Sequence, residues 1–168
     1  NDASRTIGST YNIQTPEWLN PVVRSHVANS YGLFRVMTTR RPELVIEGSQ
    51  DGLTWSTYPF KWKPGALDRA PVFVEPYMPR LDWQMWFAAI YVEQHRMPGW
   101  LPSFAKKLGE GSPEVLALLE SNPFPDGAPA YLRLILYQYN FTDQQTRAET
   151  GAWWTRDRIM TYPLLGTP

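Results

Sequence analysis

The chain has 168 residues, a formal net charge of zero, 19% charged and 14% aromatic residues, eight tryptophans and no cysteine. That length fits one domain with a substantial core. Lys and Arg are scattered, with no run longer than Arg40-Arg41 or Lys106-Lys107, which excludes the basic footprint of a nucleic-acid binder, and the missing cysteines exclude disulfides and thiolate metal sites.

Residues 1–20 are polar and irregular and read as an extended arm. A short helix over 22–29 follows, so residues 1–28 are taken as arm plus helix and 29–168 as the domain proper. Residues 33–39 and 43–49 are strand-like, with Arg40-Arg41-Pro42 as the turn between them. Asp51-Gly52 then marks a hairpin, because this pair tolerates the positive φ of tight turns. The return strand, 54–62, sets Tyr58, Phe60 and Trp62 on one face. The proline-rich stretch 63–80 must be an ordered loop crossing the domain.

Helices are expected next. Residues 81–94 form an aromatic helix with Asp82 in its first turn, where a negative charge suits the helix dipole. Trp100, Phe104 and Leu108 line a second, amphipathic helix. Ser112-Pro113-Glu114 opens a third, with Ser as cap and Pro at the first position, running to just before Asn122. Residues 131–141 alternate two apolar faces, as in a central strand covered on both sides. Residues 142–151 read as a polar loop, and 158–165 as a last extended segment. The order predicts a single α+β domain: a mainly antiparallel sheet, with a sandwich as one arrangement, and a helical layer over 81–121. The longest apolar run, Met85 to Val92, is far short of the roughly 20 residues of a membrane helix. The chain begins with Asn and has no signal peptide, which reads as a fragment or processed product whose membrane attachment lies upstream.

Several stretches together resemble the carboxy-terminal domain of the lipase maturation factor family: NSYGLFRVMT (29–38), VIEGSQDGLTW (45–55), KWKPG (61–65), Asp68-Arg69, PRLDWQMWFAA (79–89), Leu118-Leu119 and Asn122-Pro123-Phe124. The resemblance implies a multi-span membrane protein that carries this domain outside the cytoplasm, in the endoplasmic reticulum lumen of animals. It also implies a chaperone-like or assembly role toward secreted lipases. Cysteines of animal relatives are missing here, one of them where Trp62 stands, which points to a bacterial-type member on the periplasmic side.

Catalysis has little support. His26 and His95 lie in different regions, no Gly-x-Ser-x-Gly elbow exists, and two histidines without cysteine do not make a zinc site. The reading is therefore no enzyme and no cofactor, with a protein client or the subunits of a membrane complex as partner and a sugar as the alternative ligand. Trp100, Trp153 and Trp154, near element ends or in polar surroundings, are the leading partner-binding candidates. Tyr31 joins them if it sits at a junction with upstream membrane segments, and Trp55 if it stacks on a sugar beside the Asp51-Gly52 turn instead of covering the hairpin. Arg80, Asp82, Trp83, Trp86, Phe87, Asn122 and Phe124 carry the motif and are read as structural: the helix tryptophans as core, Asp82 as a cap, and Arg80 as a brace reaching Asp68 or Glu75. The rival reading of Trp83, Trp86 and Tyr91 is a client-docking surface, and that of Arg80 with Asp82 a polar recognition pair.

Overall fold

The computed structural model describes residues 40–74 and 77–165. The expected arm and helix of 1–28, the strand over 33–39 and Tyr31 lie outside these residues. The described part falls within one compact unit, residues 40–168.

Strand β3 (Tyr131–Phe141) runs through the middle of the sheet, where its two apolar faces require it to be. Strands β1 (Arg41–Ser49) and β4 (Trp154–Leu165) flank it, and the two-residue β2 (Ser56–Thr57) pairs with β1. The order is β2-β1-β3-β4 and every pairing is antiparallel. Among the described residues this is one open sheet, the mainly antiparallel α+β class expected, and not a sandwich.

Helices α1 (Arg80–Glu93) and α2 (Trp100–Gly109) cover one face. Leu132, Leu134 and Leu136 of β3 and Leu44 and Ile46 of β1 meet Met85, Ala88, Ala89, Val92, Leu101 and Leu108 there, all essentially sealed from solvent. Burying each large aliphatic side chain is worth about 1.5–3 kcal/mol. The Ala88-Ala89 pair lets the α1 backbone approach the sheet closely. Trp83, Trp86 and Phe87 take the outer side of α1, half-buried, with Phe87 4.9 Å from Trp83 edge-on and 5.2 Å from Trp86.

The other differences from the sequence reading have local causes. Arg41 and Pro42 belong to the β1 ladder, opposite Tyr139 and Gln138, and not to a turn. Ile46 turns its carbonyl outward to the Tyr58 amide; Pro42, four residues earlier, shares that outer side, where a missing N–H leaves no β3 bond unmade. The return strand stops at Thr57 because Pro59 cannot donate to the ladder. Helix α3 (Pro113–Leu116) is a single turn. Leu119 leaves it to bridge Phe60, and the Glu120 amide donates to the Pro59 carbonyl. Ser112 does not cap it; its hydroxyl donates to Glu114 at 2.7 Å. The supposed polar loop after β3 contains α4 (Gln144–Thr150), capped by Asp143 accepting the Thr146 amide at 2.7 Å and closed by Gly151 at φ +73°. Strand β4 starts at Trp154, earlier than expected, and a register shift after Leu136 keeps both Met160 and Arg158 in the ladder.

Candidate functional site

The described residues between β2 and α1 form no strand or helix, yet residues 60–71 are pinned: Phe60 joins the helix-side core, and from Lys63 the chain crosses to the opposite sheet face, that of Glu43 and Tyr139. The strap turns at Ala66, whose carbonyl accepts the Arg69 amide at 3.2 Å, and its other polar backbone atoms are met one by one. The Asp82 carboxylate, 1% exposed, accepts the amides of Trp62 at 2.9 Å and Lys63 at 3.0 Å. Lys63 enters the interior with its ammonium 3.3 Å from Glu43 and donating to the Pro64 carbonyl. The Tyr139 hydroxyl donates to the Gly65 carbonyl at 2.7 Å. The amides of Trp153 and Trp154 both donate to the Leu67 carbonyl, and the Trp154 indole to the Arg69 carbonyl at 2.8 Å. Arg69 returns the favour within the strap, donating to the Phe60 and Lys61 carbonyls and pairing with Glu120 at 2.7 Å. A buried polar group left without such partners would cost about 1–3 kcal/mol, so this set fixes the strap's path.

Most of the candidate residues serve this scaffold. Trp154 is buried and stacks on Phe141 with ring centroids 4.2 Å apart, which corrects its reading as an exposed anchor. Trp153 is half-buried beneath the Arg147 guanidinium, 3.9 Å from its ring centre. Trp100 is half-buried and packs on the core, 6.0 Å from Phe104. Trp55 is half-buried under Arg133 at 3.9 Å, with its indole donating to the Gly52 carbonyl, so one ring face is already covered. Asp82 lies in the first turn of α1 as expected, but it makes no capping bond; its partners are the strap amides. Arg80 is exposed and does not pair with Asp68, while Glu75 lies outside the described residues. Asn122 accepts the Phe124 amide and donates to the Phe124 carbonyl, each at 3.0 Å. That turn presses Phe124 against Gly48, where a Cβ would come within 2.6 Å of the ring.

Two clefts flank the strap. The larger, about 360 Å³, lies between β1 and the strap and is lined by Val45, Thr57, Gly65, Ala66 and Arg156 among others. The smaller, about 210 Å³, is lined by Trp62, Val72, Val74, Met78, Phe141 and Trp154, with Arg41 and Arg69 at its edge. Of the most exposed aromatic rings described, Phe141 at 59% lines the smaller cleft, while Phe73 at 83% and Tyr77 at 86% lie next in sequence to its lining residues Val72, Val74 and Met78. Sequence reasoning missed these three. For Phe73 and Tyr77 the available signal was a run of apolar residues with no helical or strand period between Pro71 and Pro79; for Phe141 it was its place as the last residue of β3.

Electrostatics here is structural. Burial pushes the Tyr58 hydroxyl up to about 12. Burial also raises Tyr139, partly offset by the Arg156 bond. The Asp51 carboxylate, accepting the amides of Thr54 and Leu53 and the Ser49 hydroxyl in the hairpin turn, is held down at about 2. Among the described residues no cluster of His, Asp or Glu is grouped to hold a metal ion, and no helix is long and apolar enough to cross a membrane.

Fold and site together define an α+β domain with one sheet face under helices and the other under a pinned strap bordered by an apolar cleft. The lipase maturation factor C-terminal domain model matches residues 27–164, and the chain belongs to that family. It is 42% identical over 156 residues to lipase maturation factor 2 of Gallus gallus, covering 87% of this chain and 21% of that protein. To lipase maturation factor 2 of Homo sapiens it is 45% identical over 139 residues, 79% of this chain and 19% of that one. To human lipase maturation factor 1 it is 39% identical over 145 residues, 82% and 25% respectively. The chain thus spans about a fifth to a quarter of these relatives. No solved structure matches it.

Proposed function

We propose that this is the non-catalytic docking domain of a lipase maturation factor-like protein, acting outside the cytoplasm. It holds an immature lipase or similar secreted client by an apolar segment while that client completes assembly. The observation that carries the reading is the exposed Phe141 in the wall of the strap's smaller cleft, together with exposed Phe73 and Tyr77 in the segment that supplies Val72, Val74 and Met78 to the same cleft. Adjacent apolar rings that stay uncovered mark interaction surfaces, and aromatic anchors set into pockets dominate interface energetics. The basic groups at the cleft edge, Arg41 and Arg69, are already engaged with Glu43 and Glu120, which leaves the contact largely apolar. The protein as a whole is membrane-attached through segments outside this chain. Its domain faces the endoplasmic reticulum lumen, or the periplasm in a bacterial-type member. Use of Trp55 as a sugar platform is disfavoured by the guanidinium seated on its ring.

The test is a full-length protein carrying Phe73→Ser, Tyr77→Ser and Phe141→Ser, co-expressed with a secreted lipase. Secreted lipase activity and crosslinking to the immature lipase should both fall, with the domain still unfolding cooperatively and its melting temperature lowered only by loss of the Phe141–Trp154 stack. A folded triple variant that still crosslinks to and matures the lipase removes this surface from the mechanism. A stoichiometric complex with one membrane partner, insensitive to the three changes, assigns the domain to a constitutive accessory subunit.

A further inference from the structure

The larger cleft has a different chemistry from the smaller one. Its walls are mostly apolar, formed by Val45, Pro59, Pro64 and Ala66, and its volume of about 360 Å³ is at the low end of small-ligand sites. Three cationic side chains line it, and two have carboxylate partners: Lys63 at Glu43, which Arg41 shares, and Arg69 at Glu120. Arg156 is the third. Its Nη1 donates to the Tyr139 hydroxyl at 3.1 Å, and its guanidinium stacks on Tyr137, 4.5 Å from the ring centre. Because the Tyr139 hydroxyl in turn donates to Gly65 in the cleft wall, the guanidinium is held beside the cavity. The carboxylate of Glu47 on the same face is taken by Arg133 at 2.6 Å. Glu47 favours the charge of Arg156 from a distance, but no described carboxylate forms an ion pair with it, and its Nε–Nη2 edge makes no hydrogen bond among the described residues.

We infer that this cleft binds a carboxylate carried on a short apolar stem, with Arg156 as the anion receptor. An oriented guanidinium with one free two-donor edge matches the two oxygens of a carboxylate. One guanidinium without an ion pair of its own, in a cleft that Glu120 also lines, suits a monoanion better than a phosphate dianion, which would need further free donors. The stem lies against Val45, Pro64 and Ala66. Two sources offer this chemistry, the C-terminus of a polypeptide and a free aliphatic carboxylic acid. The inference does not rest on the docking role assigned to the smaller cleft.

The experiment titrates the whole chain by calorimetry with three probes: N-acetyl-Ala-Val-Leu with a free C-terminal carboxylate, the same tripeptide as its amide, and hexanoate. At least one carboxylate should bind saturably, and the amide should bind roughly tenfold or more weakly, as the loss of a charge-assisted pair implies. The tighter of tripeptide acid and hexanoate identifies the source. Arg156→Gln should abolish the preference for the acid, and Arg156→Lys should restore it only in part. Ala66→Leu, which narrows the cleft without touching the guanidinium, should block binding, while Phe141→Ser at the other cleft should not. Equal affinity for acid and amide, no binding of either carboxylate at millimolar concentration, or full affinity in a folded Arg156→Gln variant overturns the inference. If Arg156→Gln fails to fold, Ala66→Leu decides, and retained binding there overturns it.

Discussion

Asp82 gives the sharpest test of how the strap is held, because its sequence position argues for one role and its bonds for another. In the first turn of α1 it should favour the helix dipole, an effect of about 0.3–1 kcal/mol. Its side chain instead accepts two strap amides at 2.9 and 3.0 Å while only 1% exposed. Asp82→Ala strands both donors. Lys63, at 4% exposure, has no water to turn to, whereas Trp62 at 38% recovers part of its loss by hydration. With about 1–3 kcal/mol for each unsatisfied buried group, the total is about 3 kcal/mol. That corresponds to a fall in melting temperature on the order of 10 °C for a chain of this size. Two further variants separate the roles. Asp82→Asn keeps an acceptor and loses the charge, so it should cost about 1 kcal/mol. Asp82→Glu keeps the charge but adds a methylene to a sealed site, so it should cost about 2–3 kcal/mol. Urea and thermal unfolding of the three variants provide the readout. A Glu variant more stable than the Asn variant would refute the strap argument and restore the helix-dipole one.

Three more outcomes follow from the same geometry. Gly48→Ala places a Cβ 2.6 Å from the Phe124 ring and 3.1 Å from Tyr58; overpacking of this kind costs about 1–3 kcal/mol, and Phe124→Leu in the same chain should recover part of it in urea unfolding. Trp154→Phe removes the indole bond to the Arg69 carbonyl and should cost about 1–2 kcal/mol, with tryptic cleavage at Arg69 accelerated as the strap loosens. Asp51 has a folded-state pKa depressed from 3.8 to about 2, so its stabilising contribution is complete above the unfolded value and is lost as pH falls from about 4 through about 2. Asp51→Asn should therefore lie closest to the wild type in stability at pH 2 and fall further behind it by pH 5, as measured by denaturant unfolding at both pH values.

What the sequence revealed depended on whether a residue's surroundings were local. β3 was legible from end to end because alternation over eleven residues has only one extended solution. α1 was legible for another reason: a nearly uncharged run apolar all the way round, too rich in aromatics to be loop and ended by Pro98-Gly99. α4 was not: QQTRAET has only Ala148 as an apolar residue, too little to set a period, and its only marks are Asp143 at one end and Gly151 at the other. The strap was legible as an ordered loop, but its path is set by contacts between residues such as Gly65 and Tyr139, 74 positions apart, which no local pattern encodes. Trp154 fell on the wrong side for this reason. Next to polar residues it looks like a surface anchor, yet a strap carbonyl from 85 residues away meets its indole N–H and permits burial.

The same bonds separate the aromatic residues into those that hold the fold and those left to act outside it. A tryptophan carries an N–H that must be met when the ring is buried, and in this chain Trp55 and Trp154 meet it at backbone carbonyls. Arginines lie over the rings of Trp55, Trp153 and Trp154, and a ring face already under a guanidinium is closed to a partner. Phe73 has no polar atom and lies in a segment between prolines, with neither a strand ladder nor a helix face to turn it inward. Its ring gains nothing from the fold at 83% exposure, and covering it would be worth about 2–3 kcal/mol. Tyr77 is as exposed at 86%, and Phe141, with one ring face stacked on Trp154, still shows 59% of its surface in the wall of the smaller cleft. The abundance of tryptophan therefore speaks to how the strap and hairpin are built, and the capacity for contact rests with two phenylalanines and a tyrosine that the tryptophan-built scaffold leaves facing water.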